Sequence, residues 1–369
     1  MTGLDDHIAA TPLIDHHVHG AFTVDLDRAG FEQHLNEGSP AAVPPWMTQF
    51  DSQLGFAVRR WCAPVLDLPA HAPADEYWAH RTELGTAEVT RRFLRAAGVS
   101  DWLVDTGYGA GSLLDPDGMA AVSGGRAREV VRLESLAEEL EYDSGRDYAD
   151  AFTALLAERT QDAVAVKSIL AYRTGFDLDL TPPAPAAVSN AAQRWLDEGR
   201  PRLADKALIR FGLHAAVARG LPLQLHTGIG DRDLDLRRVN PLHLVDFLRS
   251  VPDVPILLLH CYPFHREAGY LAQAFPNVHF DVGLAITQSG VRSAAVVAES
   301  FELAPFAKQL YASDAWGLPE LHYLGALLWR RAVAAAFGHW VGEGDWSRAD
   351  ARRVVTMIAR DNARRVYRL

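Results

Sequence analysis

Cysteine is scarce. The 369 residues contain only Cys62 and Cys261, far apart, so no disulfide framework is expected and a reducing compartment, the cytoplasm, is the expected setting. No apolar run approaches the roughly 20 residues that a membrane span requires, so no membrane partner is expected. The opening stretch, Met1 to Ala10, lacks the basic start and apolar run of a secretory signal. Positive charge is the minority, with 36 Lys and Arg against 47 Asp and Glu and a formal net charge of -11. Phosphate binding depends on clustered Lys and Arg, so nucleic acid is not an expected partner and a small molecule is. The pairs Arg91–Arg92, Arg237–Arg238 and Arg364–Arg365 read as solvated helix faces. Also missing is a Gly-x-Gly-x-x-Gly turn after the first strand candidate, which removes the usual mark of an open dinucleotide-binding sheet.

What is present is enough apolar sequence, 49% of residues, for a full core. From residue 101 onward short apolar runs alternate with amphipathic stretches, the pattern of repeated βα units around a parallel sheet. Strands are expected at Pro12–His19, Asp101–Thr106, Val130–Leu133, Ala163–Ile169, Pro222–Thr227, Pro255–Cys261, Val278–Val282 and Gln309–Ser313. Helices are expected between them, among others at Tyr148–Arg159, Asp205–Arg219, Pro241–Val251, Glu267–Ala274 and Arg292–Leu303. Eight strands with helical crossovers imply an α/β fold, a (β/α)8 TIM barrel, as a single domain spanning 1–369. The stretch 21–100 is expected to be a helical insertion after strand 1, with helices at Phe50–Trp61 and Ala87–Ala97 and a small core of its own around Trp46, Trp61 and Trp78. A second, Pro- and Ala-rich insertion covers 177–199, and both are expected to act as lids or pocket walls. Ser347–Leu369 is expected to close the chain as a helix with a solvent face of arginines.

The chemistry concentrates at strand ends. In Asp15-His16-His17-Val18-His19 the period of two places His17 and His19 together in the barrel mouth, Asp15 on the same face one step deeper and His16 outward. Two converging imidazoles suit Zn2+ or a similar ion, and Asp15 is placed to support one of them. His226, His260 and Asp314 each end or follow a strand candidate, where barrel enzymes gather catalytic groups. One buried histidine alone is more often satisfied by backbone; five polar residues at matching strand ends argue for a site. Lys167 ends the fourth strand candidate, and Arg173 follows Tyr172 just beyond it, where a guanidinium can hold a substrate carboxylate or pair a nearby acid. Tyr108, His265, Arg266 and Trp316 also follow strand ends and are candidate pocket residues.

The pattern Asp15-x-His17-x-His19, His226, His260 and Asp314, with the closing Asp361-Asn362-Ala363-Arg364-Arg365-Val366-Tyr367, resembles the amidohydrolase superfamily and its amidohydrolase-2 branch across essentially the whole chain. Gly55–Cys62, Val104–Tyr108, Lys167–Gly175 and His226–Asp231 resemble more narrowly the amidohydrolase half that precedes a glutamine-synthetase-like domain in some fusion proteins. The resemblance implies that His17, His19, His226 and Asp314 bind a divalent metal, zinc foremost with Mn2+ or Fe2+ as alternatives. It implies that Asp314 also moves the proton of the activated water and that His260 polarises the substrate carbonyl, stabilises the developing oxyanion or binds a second ion; Tyr172 and Arg173, from their place beyond the fourth strand, are the expected substrate-binding residues. Some relatives carry a carboxylated lysine bridging two ions, which places Lys167 as a candidate bridge; one ion is the expectation here. The implied reaction is hydrolysis of a C–N amide bond in a small carboxylate-bearing substrate, such as a γ-glutamyl amide, by a homo-oligomeric enzyme. The same superfamily contains non-oxidative decarboxylases and sugar-acid isomerases, and a non-catalytic ligand-binding barrel is the reading from another class.

Overall fold

The computed structural model describes residues 3–109 and 111–369; Met1, Thr2 and Ala110 lie outside the described residues. Seven strands form one all-parallel sheet in sequential order: β1 Leu13–Val18, β2 Val99–Asp105, β3 Arg126–Arg132, β4 Ala165–Ser168, β5 Leu223–Thr227, β6 Ile256–His260 and β7 Val278–Phe280. The sheet curls because both of its faces are buried. In β6, Ile256 and Leu258 pack outward against the helical layer while Leu257 and Leu259 fill the barrel interior with Ile14, Leu103 and Val130. The helices follow the expected ranges closely. Lys206–Arg219, for instance, starts where the Asp205 carboxylate accepts from the amides of Ala207 and Leu208 and stops at Gly220, whose φ of 68° ends the helix.

The eighth expected strand, Gln309–Ser313, is not a regular strand. Residues 309–315 run extended and stitch β7 to β1 with scattered bonds: Leu310 N donates to Phe280 O, His16 N to Tyr311 O and Asp314 N to His17 O. These bonds are too scattered for a regular ladder, and Asp314, just past the expected strand, is left-handed with φ 50°. The barrel is closed by this segment all the same.

Strand β1 departs from simple alternation. Its register with β2 runs Ile14 to Asp101 and Asp15 to Trp102, then jumps from Asp15 to Val18 opposite Val104, so β1 holds one extra residue. Because of this bulge His16 and His17 both enter the barrel. Asp15 turns away from them, accepting from Ser313 N. The expectation that His16 points outward and that Asp15 shares the face of His17 is therefore corrected.

The insertion 21–100 is helical, including Arg28–Gln33, Gln53–Ala57, Ala74–Leu84 and Thr86–Ala96, but it has no separate core. Phe31, Phe50, Tyr77 and Phe93 share one apolar cluster with Leu321, Leu324 and Ala332 of the long helix Pro319–Gly342. Trp61 and Trp78 border that cluster, whereas Trp46 is 82% exposed and belongs to no core. The second insertion is also reassigned. Its helix Pro185–Asp197 buries Val188, Ala191 and Trp195 in the outer layer beside Tyr148, and no residue of 177–199 borders the mouth cavity. The C-terminal segment is helical in two parts, Arg348–Thr356 and Asn362–Tyr367, joined by one wide turn at Met357–Asp361. Arg353, Arg364 and Arg365 face solvent, while Ala363, Val366 and Tyr367 plug the barrel floor. No helix among the described residues is long and apolar enough to cross a membrane.

A buried ion pair fastens the insertion to the barrel. Arg81 Nε donates to Glu320 Oε1 at 2.6 Å, and Tyr77 OH donates to the same oxygen at 2.9 Å. Removing one partner strands the other charge in a dry interior. Arg81→Met is therefore expected to lower the unfolding free energy by about 3–5 kcal/mol in urea titrations. A loss below about 1 kcal/mol, the scale of a surface pair, would show that the clasp is not needed.

Candidate active site

The inward side chains at the C-terminal strand ends meet below a cavity of about 500 Å3. Asp314 sits at the centre of a ring of imidazoles. Its Oδ1 lies 3.1 Å from His17 Nε2 and 3.8 Å from His19 Nε2, and its Oδ2 lies 3.2 Å from His260 Nε2. His260 reaches this position through a left-handed backbone, φ 67°, which turns it inward beside Leu259 instead of alternating away. His226 stands one ring further out, its ring centroid 4.8 Å from that of His260 and 4.6 Å from that of Tyr172. Among the described residues two groups have three ligand atoms within 4.8 Å of one another: His17, His19 and Asp105, and His17, His260 and Asp314. His226 is in neither group, yet its buried Nε2 has no hydrogen-bond partner, and neither ring nitrogen of His260 has one.

Beneath the imidazoles lies a charge cluster. Lys167 Nζ is 2.8 Å from His17 Nε2 and 3.0 Å from Asp105 Oδ2, and Arg132 donates to both oxygens of Asp105, the shortest contact being 2.7 Å. Burial raises the Asp105 carboxyl, but Arg132 and Lys167 outweigh it and hold Asp105 well below the usual carboxylate range. Burial pushes Lys167 down and pushes Asp314 well up. It also lowers the imidazoles: His17, His226 and His260 fall well below their ordinary value, and His19 falls to about 3. The imidazoles are therefore neutral near pH 7, as metal ligation requires.

Asp105 and Arg132 carry much of this electrostatics, yet neither stood out in the sequence. The signal was an acid and a base at the last residues of β2 and β3, after the apolar runs Trp102-Leu103-Val104 and Val130-Val131. Gln224 was also missed. It lies two residues before His226 on the same face of β5, and its Oε1 faces His17 Nδ1 at 2.9 Å, the supporting place expected of Asp15.

The cavity walls come from several loops. Residues 33–40 of the first insertion contribute His34 and Glu37, and Trp316 Nε1 donates to Glu37 Oε2. Burial and the neighbouring Asp231 raise the Glu37 carboxyl to about 7. Tyr108 and Trp316 line the cavity as expected; His265 and Arg266 do not, being engaged with Glu299 and Glu302. Arg173 borders the cavity but is already paired, with Nη1 3.0 Å from Glu138 Oε1 and donating to Leu203 O, which leaves its buried Nε without a partner. Tyr172 needs Gly230 beside it, because a Cβ at residue 230 would stand 2.1 Å from the phenol oxygen.

A family profile described as Amidohydrolase matches residues 114–369. Protein fluG of Emericella nidulans is 33% identical over 235 residues, 59% of this chain and 27% of that protein, so the chain spans about a quarter of the length of this curated relative. The partial coverage is in keeping with a likeness to one part of a fusion protein. Among solved structures, a protein of Lactobacillus casei ATCC 334 provisionally described as a metal-dependent hydrolase superposes with a TM-score of 0.87 at 28% identity, covering 100% of this chain and 98% of the other. A uronate isomerase of Thermotoga maritima superposes with a TM-score of 0.64 at 15% identity over 99% and 96% of the two chains, a likeness of fold alone.

The lowered imidazoles give the metal-free protein a definite pH dependence. Below about pH 6.5 the unfolded chain protonates its histidines while His17, His19, His226 and His260 stay neutral in the fold. The unfolded state then binds more protons, and stability falls as pH falls, by about 1.4 kcal/mol per pH unit for each such histidine. Asp314, Asp15 and Glu37, all raised in the fold, take up protons over the same range and oppose this, whereas His279, lowered to about 3, and His322 add to it, so a net decline remains. Urea unfolding in chelator from pH 7 to 5 is expected to show this decline; a flat profile would contradict the neutral imidazole ring.

Proposed function

This chain belongs to the amidohydrolase family, and from that membership we propose that it hydrolyses a C–N amide bond of a small carboxylate-bearing substrate in the barrel mouth. The observation that carries the reading is the convergence of four neutral imidazoles and one carboxylate, several of their ring nitrogens buried without partners, at the floor of an open cavity.

The donor set fits a divalent ion. Three imidazoles and a carboxylate, His17, His19, His226 and Asp314, would hold it, with zinc the best match and Mn2+ or Fe2+ accepted by the same donors. When bound, such an ion supplies Lewis-acid polarisation and lowers the pKa of water to about 7. One ion is proposed, because the ammonium of Lys167 is already held by Asp105 and a carboxylated lysine would face that carboxylate.

Asp314 is the proton carrier. Burial makes its carboxylate a stronger base than usual, suited to take a proton from the attacking water and deliver it to the leaving nitrogen. His260, whose Nε2 lies 3.2 Å from Asp314 Oδ2, would donate from that nitrogen toward the oxygen that gains charge. Tyr172 packs against His226 and borders the substrate space, as does Arg173, whose guanidinium is held by Glu138 and Leu203 O and would exchange that pairing for a substrate carboxylate. The local likeness to synthetase-fused relatives supports γ-glutamyl amides as the substrate class.

Zinc-loaded protein incubated with a panel of γ-glutamyl amines and ureas is expected to release amine. Asp314→Asn is expected to reduce kcat by about 100- to 10,000-fold. Elemental analysis is expected to find close to one ion per chain, unchanged in Lys167→Ala. A count near two that drops in the variant would replace the single ion with a lysine-bridged pair, and a protein that takes up none of Zn2+, Mn2+ and Fe2+ would end the hydrolase reading.

A further inference from the structure

Histidine ligands work through one ring nitrogen, and which one is free depends on the bond made by the other. For His17 that bond goes to an amide whose own orientation is fixed. Gln224 has two ends: one lies 2.9 Å from His17 Nδ1, the other 2.8 Å from the backbone carbonyl of His16 and 2.8 Å from Tyr367 OH. A backbone carbonyl only accepts, so the end facing His16 O must be the NH2 group. The carbonyl end then faces His17, and Nδ1 must carry the proton. The same logic runs onward. The second amide hydrogen goes to Tyr367 OH, whose single proton goes to His16 Nδ1 at 2.8 Å, which leaves His16 Nε2–H to donate to Asp281 Oδ2 at 3.1 Å. Asp281 Oδ1 meanwhile accepts from the amides of His260 and Gly283. Every donor and acceptor in this buried chain has one assignment, and all follow from one main-chain oxygen.

From this geometry we infer that Gln224 is a positioning residue that locks His17 as its Nδ1–H tautomer with Nε2 bare, and that Tyr367 and the bulged backbone at His16 hold Gln224 in place. His17 Nε2 itself has two neighbours, Lys167 Nζ at 2.8 Å and Asp314 Oδ1 at 3.1 Å, so the tautomer is fixed from the Nδ1 side and not from this one. The consequence for metal affinity rests on the proposed metal-dependent reading; the tautomer does not. None of Gln224, Tyr367 or His16 borders the cavity, so the effect is exerted through His17 and not by touching substrate.

Long-range 1H–15N spectra of the metal-free full chain, with His17 assigned by comparison with His17→Asn, read the tautomer directly. A protonated Nδ1 and bare Nε2 are expected; a protonated Nε2, or averaging of the two forms, overturns the inference. Zinc affinity by chelator competition is expected to fall about 10- to 100-fold in Gln224→Leu and less in Tyr367→Phe, where His16 O still holds the amide. A folded Gln224→Leu protein that binds zinc like the wild type also overturns it. Should Gln224→Leu not fold, the wild-type spectrum decides. The expected tautomer in a wild-type protein that takes up none of Zn2+, Mn2+ and Fe2+ would uphold the lock and remove the hydrolase reading instead.

Discussion

Strand β1 fits one residue more than β2 allows between Asp15 and Val18, and this single extra residue sends two consecutive imidazoles into the barrel. His17 faces up toward Asp314, and His16 faces down toward Asp281 and Tyr367. Without the bulge one of the two would lie against the outer helices, and either the ring around Asp314 or the hydrogen-bonded floor beneath it would lose a member. A bulge is tolerated here because the partner across the closing seam is itself irregular. Residues 309–315 bond to β1 at chosen points and do not demand a continuous ladder. The two irregular stretches face each other across the seam, and the site is built on both.

Charge placement shows why the floor suits a cation. Of the carboxylates buried at or just past the strand ends, Asp105 and Asp314 lie within reach of the His17 and His19 rings. Asp105 is neutralised twice over by Arg132 and Lys167, whereas Asp314 has imidazoles around it that are themselves uncharged. A buried carboxylate without a full counter-charge is costly unless it stays protonated or meets a positive ion. The raised pKa of Asp314 is the first of these solutions, and a divalent metal is the second. The protein thus holds its uncompensated negative charge at the one place where several bare ring nitrogens converge.

The sequence made much of this legible. Seven strands and the helices that cover them follow from apolar runs and 3.6-residue periodicity, because both faces of a parallel sheet are buried. His17, His19, His260 and Asp314 could be named from their places at strand ends. What could not be read was local backbone geometry. Alternation assumes an unbroken pleat, so the bulge reversed the assignments of Asp15 and His16. Left-handed residues at 260 and 314 are likewise invisible to periodicity, although they aim two of the site's side chains. Gln224 escaped notice because an amide inside an apolar strand carries no motif; only its two-residue spacing from His226 hinted at it. Insertion 177–199 was misplaced because loop length says nothing about which layer a loop joins.

Tyr367 also ties the order of synthesis to the competence of the site. Ribosomes deliver β1 early and the helix bearing Tyr367 some 350 residues later. Until that last turn emerges, the hydroxyl that completes the hydrogen bonds of His16 and Gln224 does not exist, and the floor beneath His17 stays open to solvent. A nascent chain therefore carries all of its histidines well before it can present them in one fixed form.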